Sequence, residues 1–213
     1  MVVGYKPYLE MVAGLLGDAR TLGSGMRAEV DRARSAIEAA AAGENVVVVS
    51  SGDAGVYGMA GLVLELLGER DNIDVEIVPG VTAALAAASA LGSPLTNDFA
   101  CISLSNLLTP LPVIEQRLRA IAEADLVLAL YNPRSHTRTE PLDLALGILT
   151  VARGSDTLVG VVRDACRDGQ QARITTLGQL DPESVDMSTI LIVGNAETRI
   201  IGNRMVTPRG YPV

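Results

Sequence analysis

Apolar positions alternate between two periods along the first half of the chain. Residues 46–49 are four valines in a row, the pattern of a strand buried on both faces in a parallel sheet. Residues 27–42 repeat at helical spacing instead. Val30, Ala33, Ala36, Ile37 and Ala40 make one face, Arg32, Arg34 and Glu38 the other, and Gly43 is a stop. The succession continues with a strand over 45–50, a helix near 57–68, a strand over 73–78 and a helix over 81–91 ending at Gly92. Such alternation predicts right-handed crossovers and a mostly parallel sheet. Residues 93–98, Ser-Pro-Leu-Thr-Asn-Asp, read as a linker. It separates an N-terminal α/β domain, 1–95, from a C-terminal α/β domain, 96–213. In the second domain the pattern predicts strand 100–104, helix 111–123, strand 125–131, helix 139–150 and strand 157–162. Short segments at 173–175, 189–193 and 204–207 follow and suggest hairpins in a mixed sheet.

Composition narrows the function classes. With 213 residues, 48% hydrophobic and 20% charged, the chain can bury a substantial core and is not disordered. Seventeen basic against 25 acidic residues leave a net charge of −8, which argues against general nucleic-acid binding. Cys101 and Cys166 form neither a metal pair nor a disulfide framework, so the cytoplasm is the expected location. No signal peptide is seen, and no apolar run reaches the roughly 18 residues of a membrane span.

Strand ends are where ligands bind in open α/β sheets. Three stand out: Ser50-Ser51-Gly52-Asp53-Ala54-Gly55-Val56-Tyr57-Gly58, Pro79-Gly80-Val81-Thr82-Ala83 and Tyr131-Asn132-Pro133-Arg134-Ser135. The usual catalytic sets are poorly represented. His136 is the single histidine, so no histidine metal cluster is possible and no protein metal site is expected. There is no Gly-x-Ser-x-Gly elbow and no Gly-x-x-x-x-Gly-Lys-Ser/Thr loop. Chemistry that needs alignment more than a nucleophile fits best, and methyl transfer from a sulfonium donor is such a reaction.

Together with Gly4-Tyr5-Lys6-Pro7-Tyr8-Leu9, Asp98-Phe99, the 103–110 segment Ser-Leu-Ser-Asn-Leu-Leu-Thr-Pro and Thr207-Pro208-Arg209-Gly210-Tyr211, these strand ends resemble the tetrapyrrole methylases. Within that family the resemblance is to the C17-methyltransferases of cobalamin biosynthesis acting on precorrin-3B or cobalt-factor III. It implies a two-domain α/β fold, a homodimer, and S-adenosylmethionine as donor with S-adenosylhomocysteine as product. It also implies methylation of C17 with ring contraction. Ser50, Ser51, Gly52, Asp53, Val56, Thr82, Ala83, Tyr131, Asn132 and Ala165 would bind the donor. Lys6, Arg27, Asn106 and Arg134 would face the macrocycle. Any cobalt would belong to the substrate, and the residues driving ring contraction are not identified. The family opens with a further strand and a Gly-x-Gly-Pro-Gly loop ahead of the segment matching Val2–Tyr5, and the sequence begins after both. Two alternatives follow: a shortened, catalytically impaired module that binds the donor or its product, and a methylase for another corrin carbon. For Asp53 the competing role is a helix cap, and for Arg134 an exposed loop cation.

Overall fold

The computed structural model describes residues 1–69 and 72–212. The chain divides into two compact units, Met1–Thr82 and Ala83–Val213.

In the first unit, β1 (Val2–Tyr5) leads into α1 (Lys6–Met11), with Pro7 in its first turn. Then come β2 (Thr21–Ser24), α2 (Glu29–Ala41), β3 (Val47–Val49) and α3 (Ala60–Leu67). The three strands run parallel in the order β2-β1-β3, with Val3 opposite both Leu22 and Val48. Val3 is fully buried, and α2 turns Ala33, Ala36 and Ile37 inward.

Three expectations for this unit are corrected. The valine run does not make a strand buried on both faces. Among the described residues β3 pairs with β1 alone, and as an edge strand it leaves Val47 58% exposed. Residues 73–78 alternate like a strand, yet they carry no ladder, and Ile77 and Val78 are exposed. Alternation selects faces, but a strand also needs a neighbour for its backbone groups. Arg32, placed by periodicity on the polar face of α2, is buried.

The second unit begins with α4 (Ala83–Leu91) and the short β4 (Gly92–Ser93). Next come β5 (Phe99–Ser103), α5 (Leu111–Glu123), β6 (Val127–Tyr131), α6 (Glu140–Arg153), β7 (Leu158–Arg163) and β8 (Gln171–Thr176). The chain closes with β9 (Thr189–Val193), β10 (Arg199–Ile201) and β11 (Arg204–Val206). The large sheet has the order β5-β6-β9-β7-β8. β5 and β6 are parallel, and β9 runs antiparallel to both β6 and β7. Every residue of β6 and β9 is buried, as expected for central strands of one apolar run each. The mixed second sheet anticipated from the sequence is thus present. A smaller sheet joins the β10–β11 hairpin to β4.

Strand alternation divides this core. Leu130, Leu191 and Val161 lie in register and join the cluster built with Ile114, Leu118, Leu142 and Leu149 of α5 and α6. Ala129, Ile192 and Gly160 are also in register, on the opposite pleat. There α4 packs, and a Cβ at Gly160 would lie only 2.2 Å from the Leu91 side chain. Because the alanine-rich face of α4 closes this sheet, the helix joins the second unit. The compact units divide between Thr82 and Ala83.

Candidate functional site

In the first unit the three strands are parallel, so they release their following residues at one edge of the sheet. Lys6 follows β1, the 25–27 turn follows β2, and Ser50-Ser51-Gly52-Asp53 follows β3. Lys6 and Arg27 are both exposed. The Ser50 hydroxyl accepts the Met59 N–H at 3.2 Å, which folds the 50–59 loop back on its own start.

Asp53 is the knot of this edge. One carboxylate oxygen accepts the Gly55 N–H at 2.8 Å, and the other accepts the Gly80 N–H at 2.9 Å. The Gly80 amide first, then that of Gly55, hold the carboxyl below its ordinary value. The weighed helix-cap role does not describe this geometry, because the N-cap residue of α3 is Met59 and the Asp53 carboxylate accepts from Gly55 and Gly80 instead. Asp53 instead ties the loop after β3 to the 79–80 turn. Gly80 is required by contact: a Cβ there would stand 2.1 Å from the Gly52 carbonyl oxygen. Since both partners are backbone, neither can swing away. Gly80→Ala is expected to cost the first unit about 1–3 kcal/mol. Thermal denaturation, with amide exchange at residue 80, checks this.

In the second unit the ends of β5, β6 and β7 lie at one sheet edge, because β9 runs antiparallel to both β6 and β7. Asn132 donates to the Ser103 hydroxyl at 2.9 Å, joining the ends of β5 and β6. Arg138 donates to the Leu104 carbonyl at 2.8 Å. The Tyr131 hydroxyl accepts the Ala84 N–H at 2.9 Å in a buried setting, which pins the start of α4 to β6. Tyr131→Phe leaves that amide without its acceptor. Stability should fall by about 1–3 kcal/mol, read by urea denaturation. Ala165 lies in the turn after β7 between Asp164 and Cys166, whose N–H donates to the Gln170 side chain at 2.7 Å. Asn106 is exposed in the loop after β5. Arg134 forms an ion pair with Glu183 and keeps only 13% of its side chain exposed, so it is no free loop cation.

Backbone strain marks the same loops. Arg27, Tyr57, Asn132, Asp164 and Cys166 all have positive φ without being glycine. Arg27, Asn132, Asp164 and Cys166 lie in the turns after β2, β6 and β7, and Tyr57 lies in the loop between β3 and α3; Asp125, ahead of β6, is a further positive-φ residue outside these loops. Such conformations cost on the order of 1–3 kcal/mol apiece and cluster where ligands are held.

The structure thus brings Lys6, Arg27 and Ser50–Asp53 to one edge of the first unit, with Asp53 bonded to the turn that precedes Thr82. It brings Tyr131, Asn132, Asn106, Arg134 and Ala165 to one edge of the second, where Tyr131 also reaches the start of α4 beside Ala83. Val56 sits in the Asp53 loop, its N–H 3.3 Å from the Asp53 carbonyl oxygen. Sequence reasoning gave no site role to Ser103, Arg138 or Arg32. Their bonds exist only once folding brings the strand-end loops together.

Residues 1–181 match the family model of the tetrapyrrole (corrin/porphyrin) methylases. The chain is 50% identical over 212 residues to a probable cobalt-factor III C(17)-methyltransferase of Salmonella typhimurium, covering 99% of this chain and 88% of that protein. It is 41% identical to a precorrin-3B C(17)-methyltransferase of Sinorhizobium sp, covering 98% and 85% of the two chains. Among solved structures, the methyltransferase CobJ superposes with a TM-score of 0.91 at 40% identity, over 97% of this chain and 87% of that one.

Proposed function

The chain belongs to the tetrapyrrole (corrin/porphyrin) methylases, and from that membership we infer a C-methyltransferase of cobalamin biosynthesis, moving a methyl group from S-adenosylmethionine to C17 of a cobalt-factor III or precorrin-3B macrocycle with contraction of the ring. The observation that carries this is identity of 50% spread over 99% of the chain with the Salmonella relative, and not a shared motif alone. A metal-loaded macrocycle would bring its own cobalt. Among the described residues no three His, Cys, Asp or Glu groups converge on a point.

The residues fit a sulfonium donor. Such a donor supplies an already activated methyl group, so the protein's task is to bind and align. On the first unit, Ser50, Ser51, Gly52, Asp53, Val56 and Thr82 are assigned to it. The carboxylate of Asp53 fixes the loop, while Gly52 and the serines offer backbone and hydroxyl partners. On the second unit, Ala83, Tyr131, Asn132 and Ala165 are assigned, all on strand-end or helix-start backbone held by the bonds described above. Lys6 and Arg27, with Asn106 and Arg134, are assigned to the acidic side chains of the macrocycle. For Arg134 that role requires exchange of its Glu183 partner for a ligand carboxylate. The reading includes a homodimer in the cytoplasm. No helix among the described residues is long and apolar enough to cross a membrane.

Turnover decides the reading. The purified chain, given S-adenosylmethionine, is expected to release S-adenosylhomocysteine only when cobalt-factor III or precorrin-3B is added. Donor-dependent thermal stabilisation with no product under either condition would instead describe a binding module. A product methylated elsewhere than C17 would reassign the carbon.

A further inference from the structure

Among the described residues, Arg32 is the most deeply buried charged side chain to meet the strand-end loops of the first unit, at 4% exposure. Its Nε donates to the Ser24 hydroxyl at 2.8 Å, and Nη2 donates to the Gly25 carbonyl at 2.9 Å. Nη1 lies 3.7 Å from the Met59 sulfur, and the guanidinium carbon sits 6.0 Å from the centre of the Tyr5 ring. One side chain from α2 therefore touches the end of β1, the end of β2 and the loop after β3. Among the described residues it forms no ion pair with a carboxylate, unlike Arg134, Arg153 and Arg163. A buried guanidinium whose partners are a hydroxyl, a carbonyl, a sulfur and a ring is a poor source of stability, since an apolar side chain of equal size is often as good or better there. Its rigid fork is, however, well suited to holding several loops at a fixed spacing.

We propose that Arg32 is a positioning residue for the macrocycle side of the site, holding the Ser24–Arg27 turn against Tyr5 and Met59. This rests on the proposed reading that Lys6 and Arg27 face the macrocycle. It acts through those loops and touches no reacting atom. The expectation it makes is selective. Arg27, whose φ is 62°, is presented by the turn that Arg32 holds. The donor loop at Ser50–Asp53 shares one bond with Met59, through the Ser50 hydroxyl, and has two further ties of its own through Gly55 and Gly80.

The test compares Arg32→Met and Arg32→Lys with the parent chain. Thermal melts are expected to stay close to the parent for Arg32→Met, because its volume fills the site. Hydrogen exchange should quicken at least tenfold at the amides of 24–28 and 57–60, with residues of the second unit unchanged. KM for the tetrapyrrole should rise about tenfold or more, while S-adenosylhomocysteine affinity by calorimetry stays within threefold. Arg32→Lys should recover little, because a single ammonium cannot reach Ser24 and Gly25 in the same fork. Unchanged exchange in those loops, an unchanged tetrapyrrole KM, or full rescue by lysine would each overturn the proposal. If the parent binds no S-adenosylhomocysteine and turns over no tetrapyrrole, the functional reading fails instead. Exchange at 24–28 then still decides whether Arg32 holds the loops.

Discussion

Replacing Asp53 by alanine is expected to lower S-adenosylhomocysteine affinity by about 100-fold or more, because the loop after β3 and the 79–80 turn lose their common tie. The effect is on geometry more than on a single ligand contact. Both oxygens are already committed to backbone amides, so the carboxylate shapes the cradle that the donor would enter. Asp53→Asn separates these roles. Its one carbonyl can serve Gly55 or Gly80 but not both, and its amide group then faces a second N–H. Asparagine should therefore bind only a little better than alanine. Calorimetry on parent and variants, with thermal melts to show that all are folded, checks the order. An alanine variant binding within twofold of the parent would reject residues 50–56 as the donor loop.

The pH dependence has a definite sign. The two amides lower the Asp53 carboxyl beneath its ordinary 3.8. A carboxyl with a depressed folded value contributes fully above its unfolded value, and the contribution is lost as pH falls through the folded one. Donor affinity should therefore show no Asp53-linked step between neutrality and about pH 4, and should weaken only below the ordinary carboxylate range. A loss of affinity centred near pH 5 or 6 would point to a different titrating group.

The largest expected loss of stability is at Arg153. Its side chain is 4% exposed and its Nε lies 3.7 Å from Asp125. Its two terminal nitrogens donate to the carbonyls of Gly194, Ile121 and Leu126 at 2.9, 2.9 and 2.8 Å. Those carbonyls belong to the end of β9, the last turn of α5 and the turn entering β6. Burial pulls the guanidinium below its ordinary value, and Asp125 opposes the shift. Arg153→Ala removes the charge and strands three acceptors, so the second unit should lose about 3–5 kcal/mol. Its melting temperature should drop by roughly 10 °C. Arg153→Lys should fall between, since one ammonium can satisfy some of the carbonyls but not all three from one position. A loss under about 1 kcal/mol for alanine in urea denaturation would mean that water takes over the three carbonyls at little cost.

Local pattern carried most of the element assignments, and motif order carried the family. Leu111–Glu123 is the helix that its spacing predicts, and Thr189–Val193 is the predicted strand. Both signals depend only on side chains a few positions apart, which is why one sequence suffices for them. The residues of the Asp53 loop were legible for a similar reason: a strand, a glycine-rich break and a helix follow one another directly. Strands β2, β4 and β10 were not legible, being two to four residues long and without clear alternation.

What the tertiary structure decided was which of these elements have neighbours. Four valines promise a strand, but whether it is central or at an edge depends on what pairs beside it, and β3 is an edge. Residues 73–78 have a strand's alternation and no ladder. Arg32 has a polar residue's identity and a core residue's burial, because three loop ends arrive around it from distant parts of the chain. Asp53 lies in a motif visible from the sequence, yet its bond to Gly80 spans 27 positions and exists only after folding. Periodicity is a property of neighbours in sequence, whereas edges, buried charges and loop ties are properties of neighbours in space.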